Sequence, residues 1–135
     1  MKTHLRVARA TDHLEEIIRF YRDGLDFEVV GGFRDHEGFD GVMLGHAGFP
    51  YHFEFTRERG ATAGRAPNAE SLLVFYLPEA GAWESAIERM EALRIAAVVS
   101  HNPYRDRAGR TYEDADGYRV VLCRNGWENR AVVVG

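Results

Sequence analysis

A chain of 135 residues is the size of one ordinary domain, long enough to bury a real core. Its 45% hydrophobic and 28% charged residues exclude a disordered chain, and a net charge of −4 without a basic run excludes a nucleic-acid-binding surface. No apolar stretch approaches the length of a bilayer span, so no membrane partner is expected either. The single cysteine, Cys123, excludes an intrachain disulfide and fits a reducing cytoplasm. Following Val120-Val121-Leu122, it reads as a small buried apolar residue rather than a reactive thiol. Met1-Lys2-Thr3-His4 passes directly into a strand pattern, so a signal peptide is not expected.

Leu5 and Val7 alternate with His4, Arg6 and Ala8, the pattern of a half-buried strand. Thr11-Asp12 stops it, and Asp12 with Glu15 has the spacing of a capping box. Leu14, Ile17, Ile18 and Tyr21 then give a predicted helix over 12–23 one apolar stripe, with Gly24 as its C-terminal cap. Residues 27–33, 42–46 and 51–56 are three strand candidates separated by Gly- and Pro-containing turns. Residues 60–68 are small, polar and aperiodic, and read as a linker.

Beyond the linker the plan repeats. A strand at 71–77 precedes a helix carrying Trp83, Ala86, Ile87, Met90 and Leu93 at helical spacing. Strands at 96–100, 110–113 and 119–123 follow, and the tail at 131–134 adds an edge strand or pairs with another chain. Two copies of βαβββ at a period of about 65 residues make an internal repeat, module one at 1–66 and module two at 67–135 of a single α+β domain. Each copy presents a sheet with a helix on one face and leaves the other face open.

The last hairpin, Glu113-Asp114-Ala115-Asp116-Gly117-Tyr118-Arg119-Val120-Val121-Leu122, has an acidic-Gly turn feeding a β-branched run. Together with the Phe20-Tyr21-Arg22-Asp23-Gly24-Leu25 helix end and the Glu54-Phe55-Thr56 strand, it resembles the markers of the vicinal oxygen chelate superfamily. That group includes glyoxalase I, extradiol dioxygenases and antibiotic-binding proteins. The resemblance covers essentially the whole chain. It implies two tandem modules forming a curved mixed sheet, a half-barrel around a cavity with the helices outside, and a homodimer of two-fold symmetry. Whether the modules pair within one chain or swap between chains is left open.

Strand alternation sorts the faces. Tyr51, Phe53 and Phe55 share the side expected to pack under the helices, and His52 and Glu54 share the open side. By the same logic Leu5 and Val7 face the helix while His4, Arg6 and Ala8 face the cavity. Leu72, Val74 and Tyr76 face it from the fifth strand, Arg119, Val121 and Cys123 from the last, and Tyr112 joins them. Tyr104, in the polar loop 102–107, is placed to close over a ligand.

Metal-dependent members of the superfamily place one ligand on the first and last strand of each module. Carried over by position, these fall at His4, Glu54, Leu72 and Val121, and neither Leu nor Val has a lone pair to donate. The expectation is therefore a small-molecule-binding protein with a degenerate metal site, no cofactor, and a pocket of Arg6, His52, Glu54, Leu72, Val74, Tyr76, Tyr104, Tyr112 and Val121. Its ligand is a small organic molecule, sequestered as in the bleomycin-resistance proteins, with Arg6 available to a ligand carboxylate or phosphonate. Trp127 lies in a tail within reach of such a cleft, whereas Trp83 reads as helix core.

The alternative is a lyase, isomerase or dioxygenase using a divalent metal held by His4, His52 and Glu54. Residues 52 and 54 are roughly 6.5–7 Å apart along one strand face, and Glu54 would serve as ligand or catalytic base. His46 and His101 are weaker candidates, and His13 and His36 read as solvent-exposed. No phosphate-binding Gly-rich loop and no G-x-S-x-G turn is present. A third reading is a dimeric interaction module that binds nothing.

Overall fold

In the computed structural model, which describes residues 2–135, β1 (Leu5–Ala10) leads into a short α1 (Leu14–Ile18) that continues as a π-helical turn over Arg19–Gly24. Strands β2 (Glu28–His36), β3 (Phe39–Gly45) and β4 (Tyr51–Glu58) complete module one. Module two comprises β5 (Leu72–Tyr76), α2 (Ala82–Ala92), a 3-10 turn at Pro103–Asp106, β6 (Gly109–Glu113) and β7 (Arg119–Cys123). The result is an α+β fold of two open sheets, one of four strands in the order β1-β4-β3-β2 and one of three in the order β5-β7-β6. In both, the first strand runs parallel to the last, as a crossover through a helix requires, and the remaining pairs are antiparallel. No helix among the described residues is long and apolar enough to cross a membrane.

The sheet faces that carry the helices meet in one continuous core. Phe53 and Phe55 lie there as their alternation predicts, against Ile17, Phe20 and Tyr21 of the first helix. From module two, Ala86, Ile87 and Met90 of α2 join Tyr112, Val120 and Leu122 of the sheet. Phe75 bridges the modules, its ring centroid 5.6 Å from Phe27 and 6.2 Å from Phe53. Burial of each such ring contributes about 1.5–3 kcal/mol, so this seam helps to hold the modules together. Trp83 is only partly buried, and its indole N–H donates to the Leu122 carbonyl at 2.8 Å.

Several local expectations are corrected. The predicted capping box does not form: His13 is the N-cap residue, and no side chain caps the helix. Asp12 is engaged elsewhere, its carboxylate accepting the Ala63 and Gly64 amides at 2.8 and 3.0 Å and so tying down the linker. Those two bonds, Ala63 first, hold Asp12 below the usual carboxylate range. Gly24 is not a left-handed cap either. A β-carbon there would sit 2.9 Å from Met90 Sδ, so the glycine serves the close approach of α2, and Asp26 takes the positive φ of 64°.

The strand expected at 96–100 reduces to a single bridge between Val98 and Thr111. Side chains have taken over the partners a ladder would need: Ser100 N–H donates to Asp106, and the Val99 carbonyl accepts from Arg119. Arg94, at φ 59°, turns the chain out of α2 just before it. Leu5 and Val7 do share the aromatic face, in register with Tyr51 and Phe53, but β1 is an edge strand and leaves them 59% and 39% exposed. The tail at 131–134 forms no strand, and Val133 is 98% exposed.

Candidate functional site

The acidic-Gly turn between β6 and β7 is an internal clasp. Asp114 is buried, and its Oδ1 accepts the backbone N–H groups of Asp116 and Tyr118 at 2.9 and 3.1 Å. Its Oδ2 accepts from the Arg9 guanidinium on β1 and from the Tyr21 hydroxyl at 2.9 Å. Burial, then the Asp114 carboxylate, pushes the Tyr21 hydroxyl up, so it stays a donor. The Arg9 guanidinium also lies 3.9 Å from the centre of the Tyr118 ring and 5.0 Å from that of Phe55. Next to it, Asp116 Oδ1 meets His13 Nδ1 at 2.9 Å, and the Asp116 carbonyl accepts the Ala66 amide at 2.8 Å. One turn thus joins β1, the first helix and the linker. His13, expected in solvent, is a half-exposed member of this clasp, and its hydrogen bond to Asp116 raises its pKa.

On the opposite face of β1 lies the cluster predicted from alternation. Arg6 is in register with His52, and Ala8 with Glu54. Arg6 Nε donates to His52 Nε2 at 2.9 Å, and Arg6 Nη1 lies 3.4 Å from Glu54 Oε2. Because a guanidinium can only donate, His52 Nε2 must be the bare nitrogen, so Nδ1 carries the proton of the neutral ring. Nδ1 then donates to His4 Nε2, 2.6 Å away. Burial, then the charge of Arg6, lowers the His52 pKa, which favours its neutral ring.

That geometry does not fit a catalytic divalent ion. Both His52 nitrogens are in use, and a fixed cation stands between His52 and Glu54. Among the described residues, no group of three His, Cys, Asp or Glu side chains is placed to hold an ion. In module two the corresponding positions are Leu72 and Val121, which offer no donor. His46 belongs to another cavity, stacked on Phe27 at 5.0 Å and on Phe49 at 5.2 Å. His36 ends β2 and His101 precedes the 3-10 turn, both exposed.

Module two carries a cavity of about 430 Å³ on its open face. Val74, Tyr76, Val121 and Cys123 form its floor from β5 and β7. Tyr104, Arg105 and Arg107 form one wall from the 3-10 turn, which Asn102 caps by accepting the Tyr104 amide at 3.1 Å. Trp127 forms another wall, 6.2 Å from the Tyr76 ring. Four of the expected pocket residues, Val74, Tyr76, Tyr104 and Val121, are therefore brought together. Leu72 shares their face but lies outside the cavity lining.

Tyr112 is a correction: it pairs with Val120 and points into the core at 1% exposure, so it is on the wrong face to meet a ligand. Arg6, His52 and Glu54 line none of the cavities described here. A broader groove of about 760 Å³ between the first helix and β2–β3 holds no predicted pocket residue and is walled by exposed charges of both signs. Sequence reading brings the 102–107 loop to the cavity but picks out Tyr104 alone, leaving Arg105 and Arg107 out of the pocket.

Residues 5–56 match the YycE-like N-terminal domain, and residues 70–124 match the YycE-like C-terminal domain. YycE of Bacillus subtilis (strain 168) is 43% identical over 121 residues, covering 90% of this chain and 87% of that protein. The crystal structure of Bacillus subtilis YycE, a protein of unknown function, superposes with a TM-score of 0.85 at 39% identity, over 94% of this chain and 93% of that one. Glyoxalase I of Leishmania major shares the fold, with a TM-score of 0.64 at 17% identity over 91% and 85% of the two chains. So does TnmS3, an antibiotic binding protein from Streptomyces sp. CB03234, with a TM-score of 0.62 at 13% identity over 93% and 98%. By this likeness in sequence and in fold, the chain belongs to the YycE-like family, within the vicinal oxygen chelate superfamily.

Proposed function

We propose that this protein binds a small organic molecule in the module-two cavity, without a resident divalent metal, as a cytoplasmic homodimer. The observation that carries the reading is the cavity itself. At about 430 Å³ it falls within the range of organic-ligand sites, and aromatic and apolar groups form most of its surface. Val121, at a ligand position of the metal-dependent superfamily members, forms part of its floor. Sequestration of an organic compound suits such a site, and a protein of the same fold, TnmS3, is an antibiotic binding protein.

The exposed Leu5 and Val7 on the edge strand β1, together with the bare Val132 and Val133, support self-association. A second copy also offers a way to set the Arg6, His52 and Glu54 face against a module-two cavity. Cys123, unpaired, suits a reducing compartment.

The test is elemental analysis of untagged protein purified without chelator, beside Glu54→Gln, followed by a thermal-shift screen of small organic compounds. We expect far less than one ion per chain in both proteins and at least one stabilising compound. Binding at a hundredfold excess over Kd raises stability by about 2.7 kcal/mol. One ion per chain in the wild type, lost in Glu54→Gln, would replace this reading with a metal enzyme. No stabilising compound would favour an interaction module instead.

A further inference from the structure

The charge of the module-two cavity is lopsided. Arg105 and Arg107 both line it, and no Asp or Glu does. Neither arginine forms an ion pair among the described residues, in contrast to Arg6, Arg9, Arg59 and Arg119. Asp106, which separates them in sequence, is turned away to accept the Ser100 amide at 3.1 Å. Glu128, beside Trp127, is held by Arg130 at 3.0 Å. Arg105 Nε is in addition buried without a hydrogen-bond partner, a state that native proteins seldom leave unanswered.

Around these cations stands an aromatic rim. Tyr76, Tyr104 and Trp127 are 40%, 63% and 72% exposed, and the Tyr76 and Trp127 rings lie tilted by 31° at 6.2 Å. Flat rings on an apolar floor of Val74 and Val121 favour a flat apolar body, and guanidinium forks favour a planar oxyanion.

We propose that the cavity selects an aromatic carboxylate: a flat ring system seated against Tyr76 and Trp127 over the Val74 and Val121 floor, with its carboxylate on Arg105 and Arg107. This rests on the small-molecule reading and adds the ligand's charge and shape to it. An aromatic ligand without charge offers the two guanidinium groups no anion beyond their contacts with the Tyr104 ring, and an ammonium group meets two like charges.

The probes are 2-naphthoate, the neutral 2-naphthalenemethanol and the cationic 2-naphthylmethylamine, which share one ring system and differ in charge. Calorimetry gives their affinities. Alkylation of Cys123, the chain's single cysteine and part of the cavity floor, reports whether each occupies this site. The expected result is naphthoate binding about tenfold or more tighter than the alcohol, with matching protection of Cys123. In the Arg105→Gln/Arg107→Gln double variant the ratio of naphthoate to alcohol affinity falls to parity. Both guanidinium groups lie over the Tyr104 ring, at 5.7 and 5.8 Å from its centre, so the melting temperature of the variant is read alongside.

Equal affinity for naphthoate and alcohol, or a preference that survives the double substitution, would overturn the charge selection and leave the small-molecule reading intact. Failure of all three probes to protect Cys123 would overturn the aromatic-carboxylate proposal, and the small-molecule reading falls with it only if the thermal-shift screen also yields no stabilising compound.

Discussion

Strand β1 carries two arginines on opposite faces, and they have different lives. Arg9 and its partner Asp114 have side chains only 16% and 0% exposed, whereas Arg6 and Glu54 are 48% and 15% exposed. The Arg9 pair is wrapped by two aromatic rings and a phenol, and it ties β1 to the last hairpin across 105 residues of sequence. The Arg6 pair sits at the open edge, with the half-exposed guanidinium shared between His52 and Glu54. The same charge chemistry therefore holds the modules together on one face and presents a polar surface on the other. Solvent access separates the two roles, because an ion pair gains little in water and costs much to break when buried.

The sharpest way to break this comparison is to remove one acid from each face. Asp114→Ala strands a buried guanidinium, the Tyr21 hydroxyl and two backbone amides at once, and should cost about 3–5 kcal/mol in urea unfolding. Glu54→Gln, whose partner Arg6 is half exposed, should cost about 0–1 kcal/mol. Similar losses for both variants would mean that burial is not what separates the two clusters. A second pair of variants tests the apolar residues beside Arg9. Phe53 and Val7 are register partners on one face, but Phe53 is 4% exposed and Leu5, two residues before Val7, is 59% exposed. Phe53→Ala should cost about 3–5 kcal/mol. Leu5→Ala should cost about 0.5 kcal/mol or less to the isolated chain. A large loss for Leu5→Ala confined to high protein concentration would mark it as an interface residue.

Much of this was legible before any coordinates. Period-two alternation placed Phe53 and Phe55 in the core, and His52 and Glu54 opposite them, because every second residue of a strand must share a face. The repeat gave the βαβββ plan, which module one follows in full and module two follows with its 96–100 strand reduced to a bridge. What alternation cannot carry is the destination of a polar side chain. Asp12 has the spacing of a helix cap, yet it accepts amides from residues 63 and 64, a contact that exists only once the linker has folded back. Asp114 reads as a turn former, and its buried partners Arg9 and Tyr21 lie more than ninety residues away. Tyr112 lies on the core face against expectation because a five-residue strand with mixed composition has no decisive pattern. Arg105 and Arg107 sit in an aperiodic turn, where no spacing rule applies.

The two histidines that flank β1 extend the comparison to pH, with the smallest expected effect. His13 hydrogen-bonds a buried carboxylate, which raises its pKa above the ordinary 6.5. It thus contributes stability that is fully present below that value and is lost as pH rises through the folded pKa. His52 is lowered, by burial first and then by Arg6, so its contribution is present above 6.5 and is lost as pH falls through the folded pKa. The two contributions oppose each other on either side of the ordinary value, and a stability curve alone will hide both. Site-resolved NMR titration separates them: His13 should show the higher midpoint and His52 the lower. Arg6→Ala should move His52 upward without touching His13, and Asp116→Asn should move His13 downward without touching His52. Coincident midpoints, or a His52 midpoint indifferent to Arg6, would show that the exposed cluster is not held together as its donors and acceptors require.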